Sequence, residues 1–287
     1  MVDGARTLVL PRRNEEPDFG AGSVYFVGTA TVVIRYAGFT ILTDPNFLHR
    51  GDHVHLGYGL ISRRLTDPAV EIEDLPPIDF VLLSHLHGDH FDRVAERKLN
   101  KATPIISTRH AVAYLGRKGF TSTHAVSTWE TLSIAKGQAR LRLTAMPGTH
   151  APGLLAGALP PVMGTMLEFR TAHDETRLRL YISGDTLLHE QLEEIPRRYP
   201  EIDLALLHLG GTMILGAVMV TMDARQGVEV IRIIGPRTAI PIHYNDYTVF
   251  KSPLEDFKRA VAEAGLEERV HYLNHGDTYE FEVPALP

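Results

Sequence analysis

Four side chains able to bind a metal crowd into one short segment, Ser84-His85-Leu86-His87-Gly88-Asp89-His90, directly behind the apolar run Phe80-Val81-Leu82-Leu83. If the apolar run is a strand, His85 and His87 leave its end on the same side, because side chains alternate with a period of two. Gly88 permits the turn that brings Asp89 and His90 back toward them. A loop that is histidine-rich by accident is the plainer account, but the spacing favours a metal site. The chain holds no cysteine. That excludes a disulfide scaffold, a thiolate metal site and a cysteine nucleophile together, and leaves His, Asp and Glu as the available ligands.

Further donors sit in the same setting. His150 follows the run from Leu141 to Thr149, Asp185 follows Leu180-Tyr181-Ile182-Ser183-Gly184, and His243 follows Ala239-Ile240-Pro241-Ile242. Open α/β sheets gather ligands at the carboxyl ends of their strands. Taken singly, each of these residues reads as an ordinary hydrogen-bonded turn residue; their weight comes from joining the cluster.

With 287 residues, 44% of them hydrophobic and 22% charged, the chain can bury a full core. No linker or repeat divides it, so one domain over residues 1–287 is expected, with residues 1–22 as an N-terminal extension. That extension lacks the apolar segment of a signal peptide, which points to the cytoplasm. The apolar stretches at 154–167 and 212–222 are too short or too broken by Pro and Gly to span a bilayer, so no stable membrane insertion is expected. A net charge of −6, with no basic run, argues against nucleic acid as a partner. Residues 24–27, 31–36 and 39–43 read as a β-meander, and 139–145 and 177–182 as half-buried strands. Helices are predicted over 221–234, capped by Thr221 with Asp223 in its first turn and Gly235-Pro236 as its stop, and over 253–264. Strands mixed with helices imply a layered α/β or α+β domain.

With Val27-Gly28-Thr29-Ala30-Thr31, Leu42-Thr43-Asp44-Pro45, Leu75-Pro76-Pro77-Ile78-Asp79, Ser183-Gly184-Asp185-Thr186, Met222-Asp223 and Pro241-Ile242-His243 added to the histidine segment, the sequence from about Val24 onward resembles the metallo-β-lactamase-fold hydrolases. It is similar in particular to the subgroup of ascorbate-6-phosphate lactonase and N-acyl-phosphatidylethanolamine phospholipase D. The resemblance implies an α+β fold, a four-layer αββα sandwich with the metal site at one sheet edge. It also implies one ion on His85, His87 and His150, a second on Asp89, His90 and His243, and Asp185 bridging the two. Imidazole and carboxylate suit two divalent ions about 3.5–4 Å apart, Zn²⁺ first and Mn²⁺ second, with iron left open.

The expected reaction is hydrolysis of a small ester, a lactone or a phosphodiester, by a bridging hydroxide, with Asp89 receiving its proton. Asp44 would fix the tautomer of a ligand histidine; an Asp-Pro turn is the competing reading. Thr29 departs from the subgroup, which often has His there. His208 stands where relatives tend to have an apolar residue; it reads either as a rim proton donor or as a buried histidine bonded to backbone. Tyr244 and Asn245 are placed to meet a substrate, with turn chemistry as the alternative. His49, His53 and His55 lie on a long loop and read as solvated or as entrance residues. Residues 154–163 and 213–220 are a substrate pocket, the interface of a homo-oligomer, or core. A non-catalytic metal-dependent scaffold on the same fold is the second functional reading and a nuclease the third.

Overall fold

The computed structural model describes residues 6–12, 16–56, 60–151, 159–214 and 218–284. Strand β1 (Thr7–Val9) precedes the meander β2 (Ala21–Gly28), β3 (Thr31–Tyr36) and β4 (Phe39–Thr43). A small hairpin, β5 (His53–His55) with β6 (Ile61–Arg63), leads to β7 (Phe80–Leu82), α1 (Arg93–Lys98), β8 (Ile105–Ser107), α2 (Arg109–Arg117) and β9 (Thr123–Ala125). The chain continues through β10 (Thr131–Lys136), β11 (Ala139–Met146), β12 (Gly164–Arg170), β13 (Thr176–Ile182), α3 (Glu194–Arg198) and β14 (Leu204–His208). It ends with β15 (Met213–Ile214), β16 (Val218–Met219), α4 (Ala224–Ile234), β17 (Thr238–Ile242), α5 (Leu254–Ala264) and β18 (Thr278–Glu282).

Two seven-stranded sheets result, ordered β18-β2-β3-β4-β7-β8-β9 and β1-β10-β11-β12-β13-β14-β17. The stretch expected to be an extension contributes β1, which pairs in parallel with β10 at a sheet edge.

Alternation decides the layers. On β14, Leu204 and Leu206 enter the core between the sheets, beside Phe26, Ile34, Leu143 and Phe169. Their neighbours Ala205 and Leu207 face the other way, against Val228 and Ile231 of α4 and Phe257 of α5. The first sheet does the same: Val32 and Ile34 point to the shared core, while Val33, Leu42 and Val81 meet Ala95 of α1 and Ala111 and Leu115 of α2. Each fully buried aliphatic side chain contributes on the order of 1.5–3 kcal/mol. The architecture is the expected four-layer αββα sandwich of the metallo-β-lactamase fold.

Helix α4 begins later than the sequence suggests. Its cap is Asp223, whose carboxylate accepts from Gln226 N at 2.9 Å, and Gly235 ends it in the left-handed conformation. Thr221 is displaced from capping because its hydroxyl donates to Asp185 instead. At the end of the sandwich where β10 finishes and β7 begins, Lys136 and Asp79 form a buried ion pair at 2.6 Å that ties the two sheets together. Among the described residues, no helix is long and apolar enough to cross a membrane.

Candidate metal centre

The opposite end of the sandwich collects the carboxyl ends of strands from both sheets. Asp44 follows β4 and the segment 84–90 follows β7, while His150, Asp185 and His243 follow β11, β13 and β17, and His208 closes β14. Backbone strain accumulates here: Thr29, Asp44 and His243 have φ of 53°, 34° and 62°, a region L-residues enter at a cost of about 1–3 kcal/mol. His243 is held in it by its N–H, which donates to the Thr29 carbonyl at 2.6 Å. Gly184, with φ of 62°, has no substitute, since a Cβ there would lie 2.6 Å from the Met163 carbonyl oxygen.

Among the described residues, ligand atoms converge in three groups: His85 with His87 and His150, Asp89 with His90, Asp185 and His243, and, behind them, Asp44 with His90 and His208. The outward hydrogen bonds fix the tautomers, because their acceptors have no proton to give. His150 Nδ1 donates to the Asp185 carbonyl at 2.9 Å, His243 Nδ1 to the Leu209 carbonyl at 3.0 Å, and His90 Nδ1 to Asp44 Oδ2 at 3.0 Å. The Ser84 hydroxyl donates to Asp44 Oδ2 at 2.8 Å and so accepts from His85 Nδ1 at 3.0 Å. All four histidines therefore turn Nε2 inward, where a cation would take the place of a proton. His85 Nε2 and His150 Nε2 lie 2.9 and 3.2 Å from His87 Nδ1, and one proton on His87 can serve only one of them.

Unsatisfied atoms carry the same message. His87 Nε2, Asp89 Oδ1, His90 Nε2 and Asp185 Oδ1 are buried without hydrogen-bond partners, an arrangement proteins avoid unless something else binds there. Burial resists charge on His90, yet the carboxylates of Asp185, Asp44 and Asp89 hold its pKa well above the ordinary histidine value. His85 is pushed well down by burial and by His90 and His87, and His87 falls to about 4 through burial and His150. Against burial, His243 and His90 keep Asp185 ionised, and His90 with His208 brings Asp44 to about 2. Two buried carboxylates facing inward ring nitrogens make a donor set suited to cations. The residues present fit divalent metal ions.

Behind the donors, Asp44 also accepts from Ser84 N at 2.6 Å. His208 is not at the rim. It is fully buried, with Nε2 3.3 Å from Asp44 Oδ2 and Nδ1 3.3 Å from Ser183 Oγ, and its ring stacks behind His90. It ends β14, which runs between β13 and β17, and strand-end position alone does not reveal depth. Tyr244 and Asn245 are not brought into the cluster: the Tyr244 hydroxyl donates to the Leu273 carbonyl in the core, and exposed Asn245 accepts from Leu254 N at the start of α5. His49 is solvent-exposed against Glu71.

Thr29, by contrast, supports the centre through its carbonyl. Its hydroxyl and the Asn46 side-chain oxygen both accept from Arg64, a fully buried guanidinium, and Asn46 in turn donates to the Gly88 carbonyl at 3.1 Å. Arg64, Asn46, Ser84 and Thr221 carry no signal in the sequence beyond adjacency to the motifs.

Over the donors lies a narrow mouth, into which His87, Asp89, His150 and Asp185 project. Of the two apolar stretches singled out in the sequence, Leu159, Ile214 and Val220 line it; residues 152–158 and 215–217 lie outside the described residues. A wider cleft at the other end, bordered by Arg35, Lys136 and Glu280, holds no group of converging metal donors among the described residues.

The fold and this centre together define a class. The family model described as "Beta-lactamase superfamily domain" matches residues 40–244. The chain belongs to that superfamily and, within it, to the UPF0173 metal-dependent hydrolases. A relative of that name from Pelotomaculum thermopropionicum is 32% identical over 204 residues, 70% of this chain and 82% of its own length. Another, from Nanoarchaeum equitans, is 28% identical over 206 residues, 72% and 87% of the two chains. Among solved structures, isothiocyanate hydrolase from Delia radicum gut bacteria superposes with a TM-score of 0.76 at 20% identity, covering 91% of this chain and 99% of that one. A possible metal-dependent hydrolase from Veillonella parvula gives 0.75 at 19% identity with the same coverage.

Proposed function

We propose that the protein is a dinuclear metal-dependent hydrolase of a small ester, either a lactone or a phosphodiester, of the kind handled by the lactonase and phospholipase D subgroup it resembles. His85, His87 and His150 would hold one ion, Asp89, His90 and His243 the other, and Asp185 both. Zinc is the first choice and manganese the second. When bound, such a pair of ions lowers the pKa of water and polarises a carbonyl or phosphoryl oxygen.

The observation that carries the reading is the set of four buried ligand atoms without hydrogen-bond partners, His87 Nε2, Asp89 Oδ1, His90 Nε2 and Asp185 Oδ1, of which His87, Asp89 and Asp185 border the narrow mouth. Asp89 supports hydrolysis over a passive scaffold. Its Oδ2 lies 3.4 Å from His243 Nε2, while Oδ1 has no partner and the residue borders the mouth. With one carboxylate oxygen on the ion, the other can take the proton of the attacking water and return it to the leaving oxygen. Asp44 and Ser84 hold the rings of His90 and His85, and Thr221 holds the shared carboxylate, donating to Asp185 Oδ2 at 2.9 Å.

Elemental analysis after loading with Zn²⁺ or Mn²⁺, followed by a screen of lactones, phosphodiesters, thioesters and β-lactams on the same sample, tests the proposal. Two ions per chain and turnover of an ester are expected. A stoichiometry that stays near one overturns the dinuclear assignment.

A further inference from the structure

Arg64 carries a charge with no exposure to solvent, and it belongs to none of the donor groups. A guanidinium is costly to bury unless its charge and its N–H groups are answered. Here both are. Nε donates to the Thr66 carbonyl at 3.0 Å, Nη1 donates to Thr29 Oγ1 and Asn46 Oδ1, and Cζ lies over the Tyr247 ring, 5.1 Å from its centroid. The countercharge is Asp246, also fully buried; against burial, His275 and Arg64 keep its carboxylate ionised.

The two side chains that Arg64 grips each reach a different part of the centre. Thr29 sits in the left-handed region at φ 53°, where a β-branched residue stays only when several contacts fix it. Three do: its N–H donates to Asp246 Oδ2 at 2.7 Å, its hydroxyl accepts from Arg64, and its carbonyl accepts from His243 N at 2.6 Å. Asn46 turns Oδ1 to Arg64 and to the Tyr247 hydroxyl at 3.0 Å, which leaves its amide to donate to the Gly88 carbonyl at 3.1 Å. That carbonyl belongs to the peptide unit joining Gly88 to Asp89. One nitrogen, held in a plane anchored at Thr66, therefore sets the distance between His243, behind β17 of one sheet, and Asp89, behind β7 of the other. His85 and His150 are held differently, by Ser84 and by the Asp185 carbonyl.

We infer that Arg64 is a positioning residue for one ion of the pair: through Thr29 and Asn46 it sets the spacing of His243 and Asp89, and with it the affinity of the group Asp89, His90, Asp185 and His243. The group His85, His87 and His150 is tuned by other contacts. This rests on the dinuclear reading of the centre and makes its two sites separately adjustable.

Zinc alone is the probe, and its affinity for the full chain is read by competition with a chromogenic chelator in two backgrounds. His150→Gln keeps the group of Asp89 intact, and His243→Gln keeps the group of His85. Arg64→Lys retains the charge opposite Asp246, but its shorter stem lacks the Nε–H anchor to Thr66 and the planar geometry that places Nη1. It should weaken the His150→Gln background about tenfold, the lower end for loss of a group that supports a ligand, and leave the His243→Gln background nearly unchanged. Asn46→Asp keeps an acceptor for Arg64 and Tyr247 and loses the donor to Gly88, so it should weaken the same background with the Tm of the metal-free chain unaltered. If Arg64→Lys does not fold, the Asn46→Asp result decides. Equal weakening of the two backgrounds would make Arg64 a part of the general fold, and no weakening would detach it from the centre; either overturns the inference. A His150→Gln chain that binds no zinc overturns it as well. A parent chain that takes up one ion, while Arg64→Lys still weakens the His150→Gln background, sinks the dinuclear reading and leaves the role of Arg64 standing; a parent with two ions and a silent Arg64 does the reverse.

Discussion

Asp44 is one carboxylate with four donors around it, Ser84 N, Ser84 Oγ, His90 Nδ1 and His208 Nε2. It sits at the back of the centre and sets how two ligand rings are turned. Asp44→Asn removes the charge that holds His90 and presents an N–H where an acceptor is required. Affinity for the ion on His90 should fall about 10–100-fold, as read by competition with a chromogenic chelator; unchanged affinity would detach Asp44 from the centre. His208 belongs to the same network, so we expect His208→Gln to lower kcat evenly across good and poor leaving groups. A loss confined to poor leaving groups would return it to the role of proton donor. Asp89→Asn should keep its metal and lose at least ~10²-fold in kcat. The segment His85–His90 stands out in the sequence by its spacing, while His150, Asp185 and His243 join it only through the family resemblance, since singly they read as turn residues after strands. Thr221, Arg64 and the depth of His208 could not be read there, since each depends on a partner dozens of residues away or on which strands flank it.

At the level of elements, β3, β4, β11, β13, the inner part of β2 and both long helices could be read from period and turn chemistry, with boundaries off by a few residues, whereas β10 and β12, six and seven residues long, escape that reading. The three-residue strands β5, β6, β8 and β9 could not be read either, because too few residues alternate to show a period. The hairpin of β5 and β6 nevertheless bears on the centre: a Cβ on Gly88 would meet Val54 at 2.3 Å and the His55 carbonyl oxygen at 2.9 Å. The hairpin lies directly on the donor-bearing turn, so Gly88 is required for close approach; its φ is outside the left-handed region, so the turn expected from the sequence does not itself demand glycine. The misplaced start of α4 shows local propensity yielding to a tertiary contact, with Thr221 turned to Asp185 and Asp223 left to cap. Asp223→Ala should cost about 1 kcal/mol, seen as a fall of about 2–4 °C in Tm, with metal content unchanged. A larger fall accompanied by loss of metal would mean that the helix start and the Asp185 loop are one unit.

Across the whole molecule, the two sheets are joined at one end by the Lys136–Asp79 pair and at the other by the donor cluster. Breaking the buried pair with Lys136→Met should destabilise the fold by about 3–5 kcal/mol, measured by denaturant unfolding of the metal-loaded protein. Chelation should instead speed amide exchange around residues 84–90, 183–186 and 243–247 while β3 and β11 stay protected; uniform acceleration would show that the ions hold the entire sandwich. Each half of the chain brings an incomplete set, His85, His87, Asp89 and His90 on one side and His150, Asp185 and His243 on the other. On the proposed assignment, neither set completes both groups of donors, so a chain whose halves part would surrender bound cations to a competing chelator and would have to find new ones before it closes. The lifetime of the closed chain would then be a gauge of ambient metal supply, shortened by scarcity and lengthened by abundance through mass action.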